Sequence, residues 1–233
     1  MGPILKLSRV QKNYRGLRPL RVRELTMATG ERVALSGFDA AAAEVLVNLV
    51  TGASVPDEGT VEVAGQATHA IADGDEWLAS LDRFGIVSPR AVLLDSATLL
   101  QNLAMPLTLE IDPVPPDVAA HASQLAAEVG LGAASLDRPI AGLDAAARAR
   151  AHLGRAIALG PSIVILEHPT IGFTPGQSTP FGETVAQVAA SRSMAALIIS
   201  EDADFSSAAA DRRLVLNGAT GELRPPRRRL FGF

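Results

Sequence analysis

The sequence has no cysteine, which excludes disulfides and thiolate metal sites. It has no run of about 18 uninterrupted apolar residues, so the chain does not span a bilayer by itself. Its opening residues, Met1-Gly2-Pro3-Ile4-Leu5-Lys6, lack the long apolar stretch of a secretory signal, and the cytoplasm is the expected location. Basic excess is missing too: the net charge of -4 argues against general nucleic-acid binding. No internal repeat is visible. What is present is a chain of 233 residues, 48% hydrophobic, long enough to bury an α/β core as one domain or as one domain with a lobe.

Periodicity and breakers give a coarse organisation. Short apolar strands with Gly-bearing turns fill the first 65 residues, among them Arg32 to Leu35, and a further strand is expected at Phe84 to Val87. Residues from about 92 to 155 read helical and Ala-rich. Pro113, Pro115 and Pro116 break this block before a new helix near Asp117, whose Val118, Ala122, Leu125, Ala126 and Val129 share one face and which stops at Gly130. Strands return at Ile163 to Leu166 and Ala196 to Ile199, and a hairpin turns at Asn217-Gly218. Strands flanking a helical block predict a parallel-sheet core with an inserted helical lobe.

Between the strand Arg32 to Leu35 and a helix running through Leu46 and Leu49 to Gly52 lies Gly37-Phe38-Asp39-Ala40-Ala41-Ala42-Ala43-Glu44-Val45. A working phosphate loop reads G-x-x-x-x-G-K-[ST]: backbone N–H groups cradle the phosphates, Lys reaches the outer two and the hydroxyl holds Mg²⁺. Counting from Gly37, Ala42 replaces the second Gly, Ala43 the Lys and Glu44 the Ser/Thr. Losing Lys removes a positive charge, while Asp39 and Glu44 add two negative ones. One carboxylate about 6 Å from a phosphate charge costs roughly 3 kcal/mol at an effective dielectric near 20, on the order of a hundredfold in affinity. Glu44, near a helix N-terminus, either stands in for the missing anion or is a solvated first-turn residue.

The resemblance around this loop extends from about residue 5 to residue 223. Leu7 to Tyr14, Gly30 to Leu35, the ungapped spacing from Gly37 to Gly52, Pro56 to Gly65, Arg155 to Pro161 and Ile163 to Thr170 together resemble the nucleotide-binding subunit of an ABC transporter. The resemblance implies a P-loop NTPase (ABC ATPase-like) α/β core with an inserted α-helical subdomain. It divides a single domain, 1–233, into a core of 1–88 and 156–223, a helical lobe of 89–155 and a basic tail of 224–233.

It also assigns roles to positions, most of them altered. Tyr14 matches the aromatic that stacks on adenine, and Gly37, Asp39, Ala40, Ala42, Ala43, Glu44 and Val45 fall at the phosphate loop as vestigial nucleotide contacts. Aligning Gln101-Asn102-Leu103 with the family's E-N-V puts Pro89 where a Gln contacts Mg²⁺; Pro has no side-chain oxygen to offer. Pro89-Arg90-Ala91 either still forms part of a groove for a transporter's coupling helix or is a rigid turn. At the signature motif stand Leu143, Asp144, Ala145, Ala146 and Ala147, where Asp144 brings negative charge or, more simply, caps the helix that follows. After the Walker B strand, Glu167 takes the place of the Mg²⁺-organising Asp, His168 that of the catalytic Glu, and Glu201 that of the switch His. His168 and Glu201 trading roles would give an altered ATPase; a structural His168 is the plainer reading. Thr174 replaces the D-loop Asp.

In the family each ATP site is shared between one subunit's phosphate loop and the other's signature. Alteration of both here disfavours a mixed dimer with one good site. The expected function is a non-hydrolysing structural or regulatory subunit, with ATP and Mg²⁺ bound weakly or not at all, no confident catalytic or metal residue, a membrane-embedded permease as partner, and a dimer with itself or another ABC subunit at the inner face of the cell membrane. Two alternatives stand beside it: an ABC ATPase with altered catalytic residues, and a soluble scaffold on the same fold. The length and the Arg155-to-Pro161 string suit lipid-trafficking or lipoprotein-exporting branches. The tail, Arg224 to Phe233, combines four Arg with two aromatics and either touches an anionic surface or is solvated.

Overall fold

The structure is a computed structural model, and it describes residues 2–14, 16–71 and 73–226. Its first layer is antiparallel. Strands β1 (Leu5–Lys12), β2 (Leu20–Met27), β4 (Glu58–Val63) and β5 (Gln66–Ala67) form a sheet in the order β2-β1-β4-β5. Alternation along β2, with Leu20, Val22, Leu25 and Met27 buried and Arg21 and Arg23 exposed, gives this sheet one core face and one wet face.

The second sheet runs β10-β9-β3-β8-β7-β6, comprising β3 (Arg32–Ser36), β6 (Phe84–Val87), β7 (Ile163–Glu167), β8 (Ala195–Ile199), β9 (Arg212–Asn217) and β10 (Glu222–Arg224). All pairings are parallel except the terminal β9–β10 hairpin. Strands β7 and β8 are buried along their whole length, as a parallel sheet covered on both faces requires. Alternate residues serve different cores. Val33, Leu35, Ile163, Ile165, Leu197 and Ile199 pack toward α1 (Ala40–Val50) and the antiparallel sheet. Ala34, Val164, Leu166, Ala196 and Ile198 pack on the opposite side with the remaining helices.

Those helices are α3 (Leu99–Ala104), α4 (Pro116–Glu128) and α5 (Ala145–Ile157), inserted between β6 and β7, and then α6 (Ser178–Ser191) and α7 (Ala203–Ala209). Helix α4 begins at Pro116, as the breakers predict, and its Ala122, Leu125 and Ala126 are buried. The fully buried Asn102 of α3 accepts from Leu94 N and donates to the carbonyls of Leu94 and Thr98, so its amide staples the preceding loop to the helix. Helices α2 (Gly74–Leu81), α6 and α7 carry no expectation from the sequence. Gly182 lets α6 lie directly on α7, since a Cβ there would come within 2.7 Å of Phe205 O and of Ala208 Cβ. Arg224, the first residue of the expected tail, closes β10; residues 227–233 lie outside the described residues.

Candidate functional site

The loop after β3 is short. Gly37 adopts φ +86°, and a Cβ there would meet Leu216 O at 2.8 Å, so glycine is required. Phe38, 1% exposed, turns into the core. Asp39 caps α1, accepting from Ala42 N at 2.8 Å, while its carbonyl accepts from Ala43 N at 2.9 Å. Four consecutive alanines, the strongest helix formers, then start α1 at Ala40. Ala43, at the position of the phosphate-loop lysine, is completely buried, and Val45 packs against the same core. Tyr14 borders the loop: burial first, and the Asp39 charge second, raise its hydroxyl's pKa above the ordinary value.

The carboxylate that meets the loop's amides is that of Glu201, not Glu44. Its Oε1 accepts from Gly37 N at 2.6 Å and from Phe38 N at 3.2 Å. The cause is topological. Strands β3 and β8 are parallel neighbours with Leu35 opposite Ile199, so the chain leaves both at the same edge of the sheet. Ser200 N then donates to Leu35 O at 3.0 Å, and Glu201 emerges beside Gly37. The next residue, Asp202, caps α7 through Phe205 N and accepts from Ser178 Oγ at 2.6 Å.

Glu44 faces a cation instead. Arg90, just past β6, sets its guanidinium against Glu167 in two parallel bonds, Nη1 to Oε1 and Nη2 to Oε2, each 2.7 Å. Its Nη1 also lies 3.6 Å from Glu44 Oε2. Glu167 is only 2% exposed, so this buried carboxylate is neutralised by one bidentate partner. Parallel pairing again explains the meeting, since Val87 lies opposite Leu166 and the two strands end together. Sequence reasoning noted Pro89 for what it cannot offer and named Arg90 only as part of a groove or a rigid turn, not as the partner of Glu167.

Beside this pair a cavity of about 230 Å³ is lined by Val87, Ser88, Pro89, Ala149, His152 and His168, among others. His168 holds φ +43°, its N–H donates to Ile199 O at 2.8 Å, and its Nε2 is buried without a hydrogen-bond partner. The structure does not join His168 to Glu201, whose carboxylate is committed to the loop. His152 is pushed down to about 4, chiefly by burial and then by the charges of Arg155 and Arg148. Asp144 is the helix cap: it accepts from Ala147 N at 2.8 Å and from Gln177 Nε2 at 3.2 Å, with Leu143 buried before it and Ala145, Ala146 and Ala147 forming the first turn of α5. Thr174 N donates to Gln177 Oε1 at 2.9 Å in the loop before α6. Among the described residues no group of three or more His, Asp or Glu side chains could hold a metal ion.

Residues 20–171 match the family model described as ABC transporter. The chain belongs to the ABC transporter family. The lipoprotein-releasing system ATP-binding protein LolD of Pseudomonas syringae pv. tomato is 29% identical over 195 residues, covering 84% of this chain and 85% of that protein. The ribose import ATP-binding protein RbsA 2 of Burkholderia cenocepacia is 32% identical over 181 residues, covering 76% of this chain and 35% of that protein, so the chain spans about a third of that relative's length. Among solved structures, cbiO1 of Clostridium perfringens, part of the cbiONQ transporter complex, superposes with a TM-score of 0.79 at 18% identity, covering 96% and 88% of the two chains. The dimeric cassette MJ0796 bound to ADP and phosphate gives 0.75 at 20% identity, covering 98% and 100%. These structures share the P-loop NTPase fold of an ABC cassette.

Within this ABC cassette, the fold brings together residues that were only separate positions in the sequence. Gly37 meets Glu201, and Glu44 and Glu167 share Arg90. Asp144 caps α5, whose Ala145 and Arg148 line the same cavity as Glu167 and His168.

Proposed function

We propose that this chain is a non-hydrolysing ABC cassette subunit, a structural or regulatory piece of a membrane transport complex. One observation carries the reading: the Glu201 carboxylate occupies the Gly37 and Phe38 amides at the head of the phosphate loop. A phosphate entering there would have to displace a bound carboxylate and then face Asp39 and Glu44, with no lysine to offset them. Two more donors of the loop, Ala42 N and Ala43 N, are spent on Asp39. Mg²⁺ fits no better, since both oxygens of Glu167 bind Arg90 and Pro89 has no ligand to give. The residues present do not suit Mg-nucleotide.

The domain plan, a core of 1–88 and 156–223 with a lobe of 89–155, suits docking on a permease. A groove of about 320 Å³ lined by Phe84, Ala91, Pro106, Arg155 and Leu159 lies between them, with Leu159 exposed on it and the exposed Val92 next to Ala91. Its apolar rim suits a helix offered by a membrane-embedded partner at the inner face of the cell membrane. The likeness to LolD supports a place in a transporter of lipid-linked cargo. No helix among the described residues is long and apolar enough to cross a membrane.

Calorimetric titration with Mg-ATP, followed by a turnover assay, tests the reading. No heat of binding and no phosphate release are expected; micromolar binding with turnover overturns it. The second reading, an altered ATPase, draws on His168 Nε2, a buried nitrogen without a partner beside a cavity. It requires turnover that His168→Ala abolishes.

A further inference from the structure

The cavity of about 230 Å³ at the junction of core and lobe lies off the phosphate loop: neither Tyr14 nor any residue from Gly37 to Val45 lines it. Its walls come from the end of β6 and the residues after it, from the first two turns of α5, and from the segment that follows β7. The full charges on these walls are already spent. Glu167 is held by Arg90 in two bonds, and Arg148 pairs with Asp95 at 2.8 Å while its Nη1 donates to Ile140 O. His152 is neutral near pH 7, because burial and two neighbouring arginines push it down to about 4. Hydrogen bonding is what remains unspent. His168 Nε2 is buried without a partner, on a residue whose left-handed backbone, φ +43°, a side chain adopts only at a cost. Ser88 Oγ accepts from Arg90 N at 3.2 Å, and its hydroxyl donates to no group among the described residues. Volume narrows the occupant further. The cavity exceeds the roughly 150 Å³ that holds benzene in an apolar core and falls short of the roughly 300 Å³ at which drug-sized pockets begin.

We propose that this cavity is a binding site for a small uncharged molecule of one ring that carries at least one hydrogen-bonding group. The ring packs against Val87, Pro89 and Ala149, and the polar group gives His168 or Ser88 a partner. An ion is refused, because no lining charge is free to offset the cost of taking it out of water. An occupant touches the core and α5 of the lobe at once, so it braces one against the other. His152 lines both this cavity and the groove assigned to the permease, which leaves the occupant one side chain away from that partner. The inference goes beyond the proposed function and needs no nucleotide.

Ring-sized probes that differ only in their polar group test the site. The full chain is titrated with 4-fluorophenol, fluorobenzene, benzoate and benzylammonium, and binding is followed by nuclear magnetic resonance and by Tm. The phenol is expected to bind at one saturable equivalent and raise the Tm, and the two ions to do neither. Fluorobenzene, which lacks the hydrogen bond, is expected to bind about tenfold more weakly. His168→Phe/Ser88→Ala keeps a ring at 168 and removes both polar groups, so it is expected to bring the phenol down to the level of fluorobenzene. Ala149→Met fills the space and is expected to abolish binding of both; should it not fold, Ala145→Leu fills the cavity from its rim. No saturable binding by wild type, ions bound as tightly as the phenol, full phenol affinity in the double variant, or binding that survives a folded filling variant overturns the proposal. Every sample lacks nucleotide, so Mg-ATP turnover by the wild type would defeat the proposed function without bearing on this result.

Discussion

Arg90 binds Glu167 fork to fork, through two hydrogen bonds of 2.7 Å, although the two residues lie 77 positions apart in the chain. The carboxylate is buried and the Arg90 side chain is 42% exposed, so the pair is a neutralised buried charge with one side open to water. Removing the arginine strands a charge, while replacing it by lysine keeps the charge and loses the fork.

Arg90→Ala is therefore expected to lower stability by roughly 2 kcal/mol, a fall of about 5 °C in Tm, moderated from the fully buried case by the exposure of the Arg90 side chain. Arg90→Lys falls in between. Differential scanning calorimetry decides, and a wild-type Tm in Arg90→Ala would mean that Glu167 needs no partner.

Glu201→Ala frees the amides of Gly37 and Phe38. Hydrogen exchange at these two positions is expected to accelerate, while the Ala42 amide, held by Asp39, keeps its rate. Unchanged exchange at Gly37 would show that the carboxylate contact does not persist in solution.

Asp144→Ala removes the side chain that caps α5 and is expected to cost about 1 kcal/mol, with Asp144→Ser recovering most of it. Chemical denaturation of the three proteins reads the difference. A stabilised alanine variant would contradict the capping role.

His152 gives a dependence on pH. Its folded pKa, about 4, lies below the ordinary value of 6.5, so the unfolded chain binds the proton more readily between the two. Stability from the neutral imidazole is complete above about 6.5 and is lost as pH falls toward 4. The difference in unfolding free energy between wild type and His152→Gln is expected to shrink across that window, and a difference independent of pH rejects the shift.

Much of the fold was legible. Continuous apolar runs located β7 and β8 because strands buried on both faces must be apolar throughout. Asp144 was readable as a cap because capping is a local interaction. Helix α6 was hidden by its own breakers. Pro180 sits in its first turn, where an N–H has no intrahelical partner, and Gly182 marks the close approach of α7 rather than a turn.

At the candidate site the sequence by itself determined what was missing: Ala43 offers no cation, Glu44 no hydroxyl and Pro89 no metal ligand, and side-chain chemistry alone decides those losses. What replaced them was decided by tertiary structure. Glu201 and Gly37 lie 164 positions apart, and no local pattern couples them. They meet because parallel strands release their loops at a common edge, where a carboxylate finds unpaired amides and a guanidinium finds a buried carboxylate. Of the two readings of Glu44, substitute anion or solvated residue, the helix end alone decides neither; the sheet brought the Glu201 carboxylate to the amides and set Glu44 near a cation.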